Sequence, residues 1–557
     1  MIDIARRGAW RARQRAGARS GASEGDPGPL RLGISGGRGA RRRGSCSFWR
    51  LSRDPIRNHG TASSAANDGV RRSPEVSLRR ARQVESRRER RGRGPSRDGR
   101  GGSRSDTMPS SRESAMALVR AAARPLRGGA RDHDALLDAV GDRRFVLLGE
   151  ATHGTHEFYE ARAQITRRLV AERGFTAVIV EADWPDAYRV NRHVRGADDD
   201  GSAEQALGGF KRFPQWMWRN QDVLGLVRWL REHNTGLPRG RAKAGFYGMD
   251  LYSLHASMEA VLAYLDRVDP EAARRARRRY GCFDRFSDDP QVYGVAAGFE
   301  LSGSCEREVV EQLMELMNKQ AEYAKLDGRV AEDEYFQVEQ NARLVQSAEE
   351  YYRTMFRGAV SSWNLRDRYM VDTVEALVAH LDRFHAPTKA VLWAHNSHLG
   401  DARATQMGEG GEWNVGQLMR ERFGDDTLLV GFTTHTGTVM AASEWGAPAE
   451  IKRVRPSLPN SYERLFHDAD LPRFWLDLRP EAGARRELVE ALRERSLERA
   501  IGVLYLPETE RASHYFHARL GEQFDAVIHI DETSAVRPLE WTAEPREREA
   551  ETYPTGV

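Results

Sequence analysis

Cysteine is scarce in this chain of 557 residues: only Cys46, Cys282 and Cys305 occur. Three thiols at these spacings build neither a disulfide framework nor a zinc ribbon, and a reducing compartment fits them. Lysine is almost missing, with 6 against 80 arginines. Long apolar runs are missing too. No stretch approaches the roughly eighteen apolar residues that span a bilayer. The start, Met1-Ile2-Asp3-Ile4-Ala5-Arg6-Arg7, lacks the apolar core of a signal peptide. The expectation is a cytoplasmic protein with no membrane segment.

What is present is unevenly spread. Residues 1–107 hold 27 Arg against 10 Asp plus Glu, a net of +17, while the whole chain is +5, which leaves −12 for residues 108–557. The basic balance therefore belongs to the tail, and nucleic acid is not an expected partner. The tail is Arg-, Gly-, Ser- and Ala-rich without apolar periodicity, so it cannot offset its ordering entropy and is expected to be disordered. GC-rich DNA upstream of a later start would read this way, and Met108 or Met116 is then the expected first residue. Gly33-Ile34-Ser35-Gly36-Gly37 matches the nucleophile-elbow pattern. Its Pro-, Gly- and Arg-rich flanks supply neither the strand nor the helix that an elbow needs.

From about residue 115 short apolar runs alternate with amphipathic stretches. Arg144–Leu148, Ala177–Val180, Ala244–Gly248, Ala390–Trp393, Thr427–Phe432, Phe474–Leu478, Gly502–Tyr505 and Ala526–Ile530 read as buried strands. Helical text separates them. The pattern predicts an α/β fold, a largely parallel central sheet flanked by helices, with residues 108–557 as the catalytic domain. Strand signal vanishes between about 251 and 385, which predicts a mostly helical insert or lobe. Met314, Met317, Tyr351 and Met355 there are expected in its core.

Polar residues fall at the strand ends. Glu150 follows Phe145–Leu148, Glu181 and Asp183 close the next strand, Asp250 the next, and His395 follows Ala390–Trp393 with His398 three further on. In an open parallel sheet the carboxyl edge is where ligands bind. Thr155 is an expected helix N-cap. On that helix Arg162 shares the apolar stripe of Phe158, Ile165 and Leu169, so it needs a carboxylate partner, Glu150 or Glu181, or must snorkel to water.

Two chemistries fit. His153 or His395 can act as general base on water, with carboxylates orienting the ring and an Arg or second His steadying an oxyanion. Alternatively Glu150, His153, Glu181 and His395 hold zinc or manganese. The run His156-Glu157-Phe158-Tyr159-Glu160 lacks the final His of a zincin. A non-catalytic small-molecule binder is the third reading.

Gly149-Glu150-Ala151-Thr152-His153-Gly154-Thr155-His156-Glu157-Phe158, then Arg162, Val180–Trp184 and Trp393-Ala394-His395-Asn396-Ser397-His398, resemble the erythromycin esterase family. So do Arg212–Asn220, Trp363–Asp367 and Ser513–Phe516, over about Gly141–Pro538. The resemblance implies ester hydrolysis without a metal cofactor. Its resistance members open a macrolactone. The essential base falls on His153, the glutamates on Glu150 and Glu181, the arginine on Arg162, and the later histidines on His395 and His398. Arg212–Asn220 and Ser513–Phe516 look more like the non-resistance branch. Asp183, Trp184, Asp250, His156 and Trp216 are candidates for touching a small ester or lactone substrate. Trp218 and Trp413 are further candidates for an apolar cleft. The sequence carries no signature of oligomeric state.

Overall fold

The computed structural model describes residues 111–540, apart from 130, 198–199, 287–288, 324–328, 357, 386 and 481–485. The tail through residue 107, the Gly33–Gly37 run and Met108 lie outside the described residues.

Thirteen strands occur among them: β1 (Arg124–Pro125), β2 (Phe145–Leu148), β3 (Ala177–Asp183), β4 (Gly245–Asp250), β5 (Ala390–Trp393), β6 (Thr427–Thr433), β7 (Thr436–Ala441), β8 (Glu450–Val454), β9 (Arg473–Asp477), β10 (Ser496–Arg499), β11 (Tyr515–Ala518), β12 (Ala526–Ile530) and β13 (Glu532–Thr533). Eight form one sheet in the order β1-β9-β12-β6-β2-β5-β3-β4. The run from β12 to β4 is parallel; β9 alone runs against it, and β1, antiparallel to β9, points the same way as the rest. The fold is thus α/β with a largely parallel central sheet between helices.

Every residue of β2, β5 and β6 is buried, as doubly covered parallel strands require. Alternate residues feed opposite layers. Phe145, Leu147, Ile179 and Leu392 join the core that also holds Leu254, Val345 and Val374 of the helical segment. Val146, Leu148, Val180 and Trp393 join the core under helices His156–Arg173 and Gln221–Gly236. Between β4 and β5 the described chain is helical, with Leu254–Val268, Arg329–Thr354 and Ala359–His385 its longest members.

Register sets the site. Leu148, Trp393, Val180 and Gly248 lie side by side across β2, β5, β3 and β4. The residues just beyond that row therefore emerge together at the carboxyl edge. An irregularity between Val180 and Asp183 then brings Asp183 opposite Asp250. Gly248 makes this approach feasible, because a Cβ there would collide with the Ala182 and Asp183 backbone.

Several sequence expectations need correction. Gly502–Tyr505 is not a strand. Leu504 makes one isolated bridge to Ala442, and the apolar character of the segment reflects buried Val503 and Tyr505. Strands β7, β8, β10 and β11 escaped notice because each is short and mixes polar with apolar residues. Cys282 and Cys305 are joined in a disulfide; their 23-residue spacing gave no framework signal. Met355 and Tyr351 are buried, whereas Met314 and Met317 are exposed, since helix Glu306–Asn318 buries Val309, Leu313 and Leu316 on its other side. No helix among the described residues is long and apolar enough to cross a membrane.

Candidate active site

The loop after β2 carries Glu150 and His153. Its path is fixed by backbone bonds: His153 N donates to Ile501 O at 3.2 Å, and Gly154 O accepts from Met440 and Val536, both at 3.0 Å. A Cβ on Gly154 would strike the Met440 backbone, so only glycine allows β7 to clamp the loop this closely. His153 Nδ1 lies 3.0 Å from Glu150 Oε1. The carboxylate accepts, so Nδ1 carries the proton and Nε2 is left as the ring's acceptor. Glu150 Oε2 accepts from Arg162 Nη2 at 2.6 Å.

Arg162 is wholly buried on the stripe of Phe158, Ile165 and Leu169. Of the two carboxylates anticipated for it, Glu150 is the partner. Its guanidinium carbon sits 4.4 Å from the Tyr159 ring centre and 4.6 Å from that of Trp393. These π faces partly replace lost water. Thr155 does stand at the helix N-cap, but its hydroxyl bonds Thr152 instead of a helix N–H.

Across the edge a second network surrounds Glu181. Its Oε1 accepts from Arg366 Nη2 at 2.7 Å and lies 3.3 Å from His398 Nε2, and its Oε2 accepts from the His395 backbone N–H at 2.9 Å. Arg366 also grips Asp250 through Nε at 2.9 Å and Nη2 at 2.7 Å. His398 Nδ1 is 2.9 Å from Asp367 Oδ1, and the ring stacks on Trp363 at 4.5 Å between centres. Burial pushes the Glu181 carboxyl up, but the His398 and Arg366 cations hold it well below the usual range. Burial alone would lower His398. The carboxylates of Asp367 and Glu181 outweigh it and raise the imidazole to about 9.

His395 stands between the two networks, its ring centre 4.8 Å from that of His153. Burial and the nearby His153 hold its basicity well below the ordinary histidine value. Its Nδ1 accepts from Ser397 N at 3.2 Å, which places the proton on Nε2. That Nε2 lies by the Ala151 backbone but makes no full hydrogen bond among the described residues.

A small cleft of about 80 Å³ opens over this edge, lined by His153, Glu181, Asp183, Asp250 and Arg366 at its floor. Phe210, Phe213, Trp218, Tyr252 and Trp445 form apolar walls. Phe213 packs edge-on against Trp445, their centres 4.9 Å apart. Asp183 pairs with Arg212 and accepts from Ser253 N at 3.0 Å.

Not every anticipated residue reaches the cleft. Trp184 opens the helix Trp184–Arg195, whose first turn swings it into the core beside Tyr188, Tyr247 and Phe336. Trp216 lines a separate small groove with Arg219 and Pro538. His156 turns outward on its helix and bonds Asp222 at 2.9 Å. Trp413 is tied to Asn364. Arg366, Asp367, Arg212 and Tyr252 belong to the site and were not singled out as chemical residues from the sequence. Arg366 carried the same mark as Arg162, a cation on an apolar helix stripe, with Trp363 three before it and Met370 four after.

The metal alternative needs open lone pairs on Glu150 and Glu181. Both oxygens of each already face donors. No group of three or more His, Cys, Asp or Glu among the described residues is disposed to hold a metal ion.

The family profile described as Erythromycin esterase matches residues 170–533. The chain belongs to the erythromycin esterase family. The match begins after Glu150, His153 and Arg162, so the geometry above carries those three. Erythromycin esterase type II of Escherichia coli is 24% identical over 330 residues, 56% of this chain and 73% of that protein. The putative hydrolase YbfO of Bacillus subtilis (strain 168) is 20% identical over 411 residues, 70% of this chain and 83% of that protein. Among solved structures, a succinoglycan biosynthesis protein superposes with a TM-score of 0.63 at 20% identity, over 77% of this chain and 100% of that one. A mutant of the erythromycin esterase EreC in its open conformation gives 0.54 at 18% identity, over 74% and 98%. Family and relatives together support hydrolase chemistry on a small molecule.

Proposed function

We propose that this protein hydrolyses a carboxylic ester or lactone with water activated by His153. The observation that carries the reading is the buried chain Arg162–Glu150–His153 ending at a cleft. Glu150 orients the ring so that Nε2 faces the reacting water, and Arg162 holds Glu150 in place. His153 Nε2 takes a proton from water as the oxygen adds to the carbonyl carbon. The same Nε2–H then protonates the departing alkoxide as the carbon–oxygen bond breaks. Acid and alcohol leave, and the ring is neutral again. Glu150 steadies the imidazolium in between. No side chain need form a covalent adduct.

The walls fit a substrate with substantial apolar area around the ester, as Phe210, Phe213, Trp218 and Trp445 offer little else. The Escherichia coli relative is named for a macrolide ester, and a bulky lactone is the class worth testing first. We derive no step through zinc or manganese. The test is a panel of esters and lactones, macrolides included, with mass detection of a product that has gained one water. Turnover that survives chelation is expected. No turnover of any ester, or activity lost with stoichiometric bound zinc or manganese, contradicts the proposal.

A further inference from the structure

The floor of the cleft holds one cation whose donors are not all spent. Arg366 presents five N–H hydrogens. Its Nε and Nη2 are consumed by Asp250 and Glu181, at 2.7 to 2.9 Å. Nη1 has one close neighbour, His398 Nε2 at 3.1 Å. That nitrogen is no acceptor. His398 stands between two buried carboxylates, Asp367 at Nδ1 and Glu181 at Nε2, and each demands a hydrogen from the ring. The ring is therefore an imidazolium, in accord with its basicity of about 9. Nη1 carries two hydrogens, and with His398 Nε2 its one close polar neighbour, at least one of them has no acceptor among the described residues.

We infer that Arg366 Nη1 donates to the substrate carbonyl oxygen as it becomes an oxyanion, which makes Arg366 a catalytic residue. The inference rests on the ester-hydrolase reading. Arg366 lines the same cleft as His153, with only 5% of its surface exposed. Asp250 and Glu181 hold the fork rigid before substrate arrives, and a prearranged donor in a water-poor site stabilises charge that develops there. As the hydroxide oxygen bonds to carbon, the carbonyl π pair moves to oxygen and is met by Nη1–H. Arg366 keeps its proton, since Asp250 and Glu181 hold it charged. The pair returns to carbon when the alkoxide leaves. The other cleft cation, Arg212, is engaged by Asp183. His395 is fully buried.

The test uses the ester found by the panel, its phosphonate analogue as the tetrahedral anion, and its amide analogue as the neutral ground state. Affinities are measured by calorimetry on the full chain. Arg366→Lys keeps the charge and loses the fork. It is expected to weaken the phosphonate on the order of 10²–10³-fold, to lower kcat in proportion, and to leave the amide within about threefold. If Arg366→Lys does not fold, Asp250→Asn is measured instead. It keeps the guanidinium but loosens its grip, so the phosphonate again weakens while the amide does not. Equal weakening of both analogues, no weakening of either, or a selective phosphonate loss in His395→Gln instead would overturn the assignment and leave the hydrolase reading standing. A wild-type protein that turns over no ester overturns both.

Discussion

Two buried ion networks face each other across the carboxyl edge, and they differ in what they leave open. On the β2 side Arg162, Glu150 and His153 form a linear chain, and its last member keeps one unbonded nitrogen at the cleft. On the β3 side Glu181, Arg366, Asp250, His398 and Asp367 form a branched web in which every carboxylate oxygen except Asp367 Oδ2 has a donor. A chain with an open end can move a proton. A web cannot do so without breaking several ion pairs at once. Under the proposed hydrolysis, proton transfer falls to the first side and fixed electrostatics to the second.

The comparison breaks first at His153. His153→Ala is expected to lower the hydrolysis rate about 10²–10⁴-fold without loss of thermal stability, because Glu150 and Arg162 still pair. Steady-state kinetics and a melting curve check this, and an unchanged rate would move the base elsewhere. Next comes Glu150→Ala, which strands the buried Arg162 charge. A loss of about 3–5 kcal/mol in denaturant unfolding is expected. An effect below about 1 kcal/mol would mean that the Tyr159 and Trp393 rings suffice for the guanidinium.

The web is tested by pH. The folded pKa of His398 is raised to about 9 from an ordinary 6.5. Its contribution to stability is therefore complete below about 6.5 and lost as pH rises through about 9. His398→Gln should remove that part of the decline in melting temperature over this window while lowering the melting temperature at pH 6.5. An unchanged slope would show that His398 is not the group titrating. The smallest effect belongs outside both networks. His156 is 40% exposed beside Asp222, so His156→Gln should cost about 0–1 kcal/mol and leave KM unchanged. A large KM effect would place His156 at the substrate after all.

Much of the site was legible because a parallel sheet sorts residues simply. A buried apolar run that closes on an acid or His marks the carboxyl edge, and Glu150, Glu181, Asp250 and His395 all carry that mark. Arg162 was readable from its place on an apolar stripe. Arg366 was not, although Trp363 and Met370 flank it in the same way, because Arg366, on the helix Ala359–His385, lies 185 residues from Glu181 in sequence and nothing local says which strand end that helix crosses. Trp184 misled for the opposite reason. It follows Asp183 directly, yet the strand-to-helix turn between them reverses its direction. The disulfide escaped because pairing depends on where helices Pro270–Tyr280 and Glu306–Asn318 meet, and spacing alone does not give that.

The most direct test of the central claim is a single turnover in oxygen-18-enriched water with enzyme in excess over ester. If His153 activates water, the acid product carries one heavy oxygen from the first turnover and the protein carries none. Unlabelled acid on the first turnover, with the heavy oxygen later found in a Glu150 or Glu181 carboxylate, would show that a side chain attacks the ester and would contradict the account.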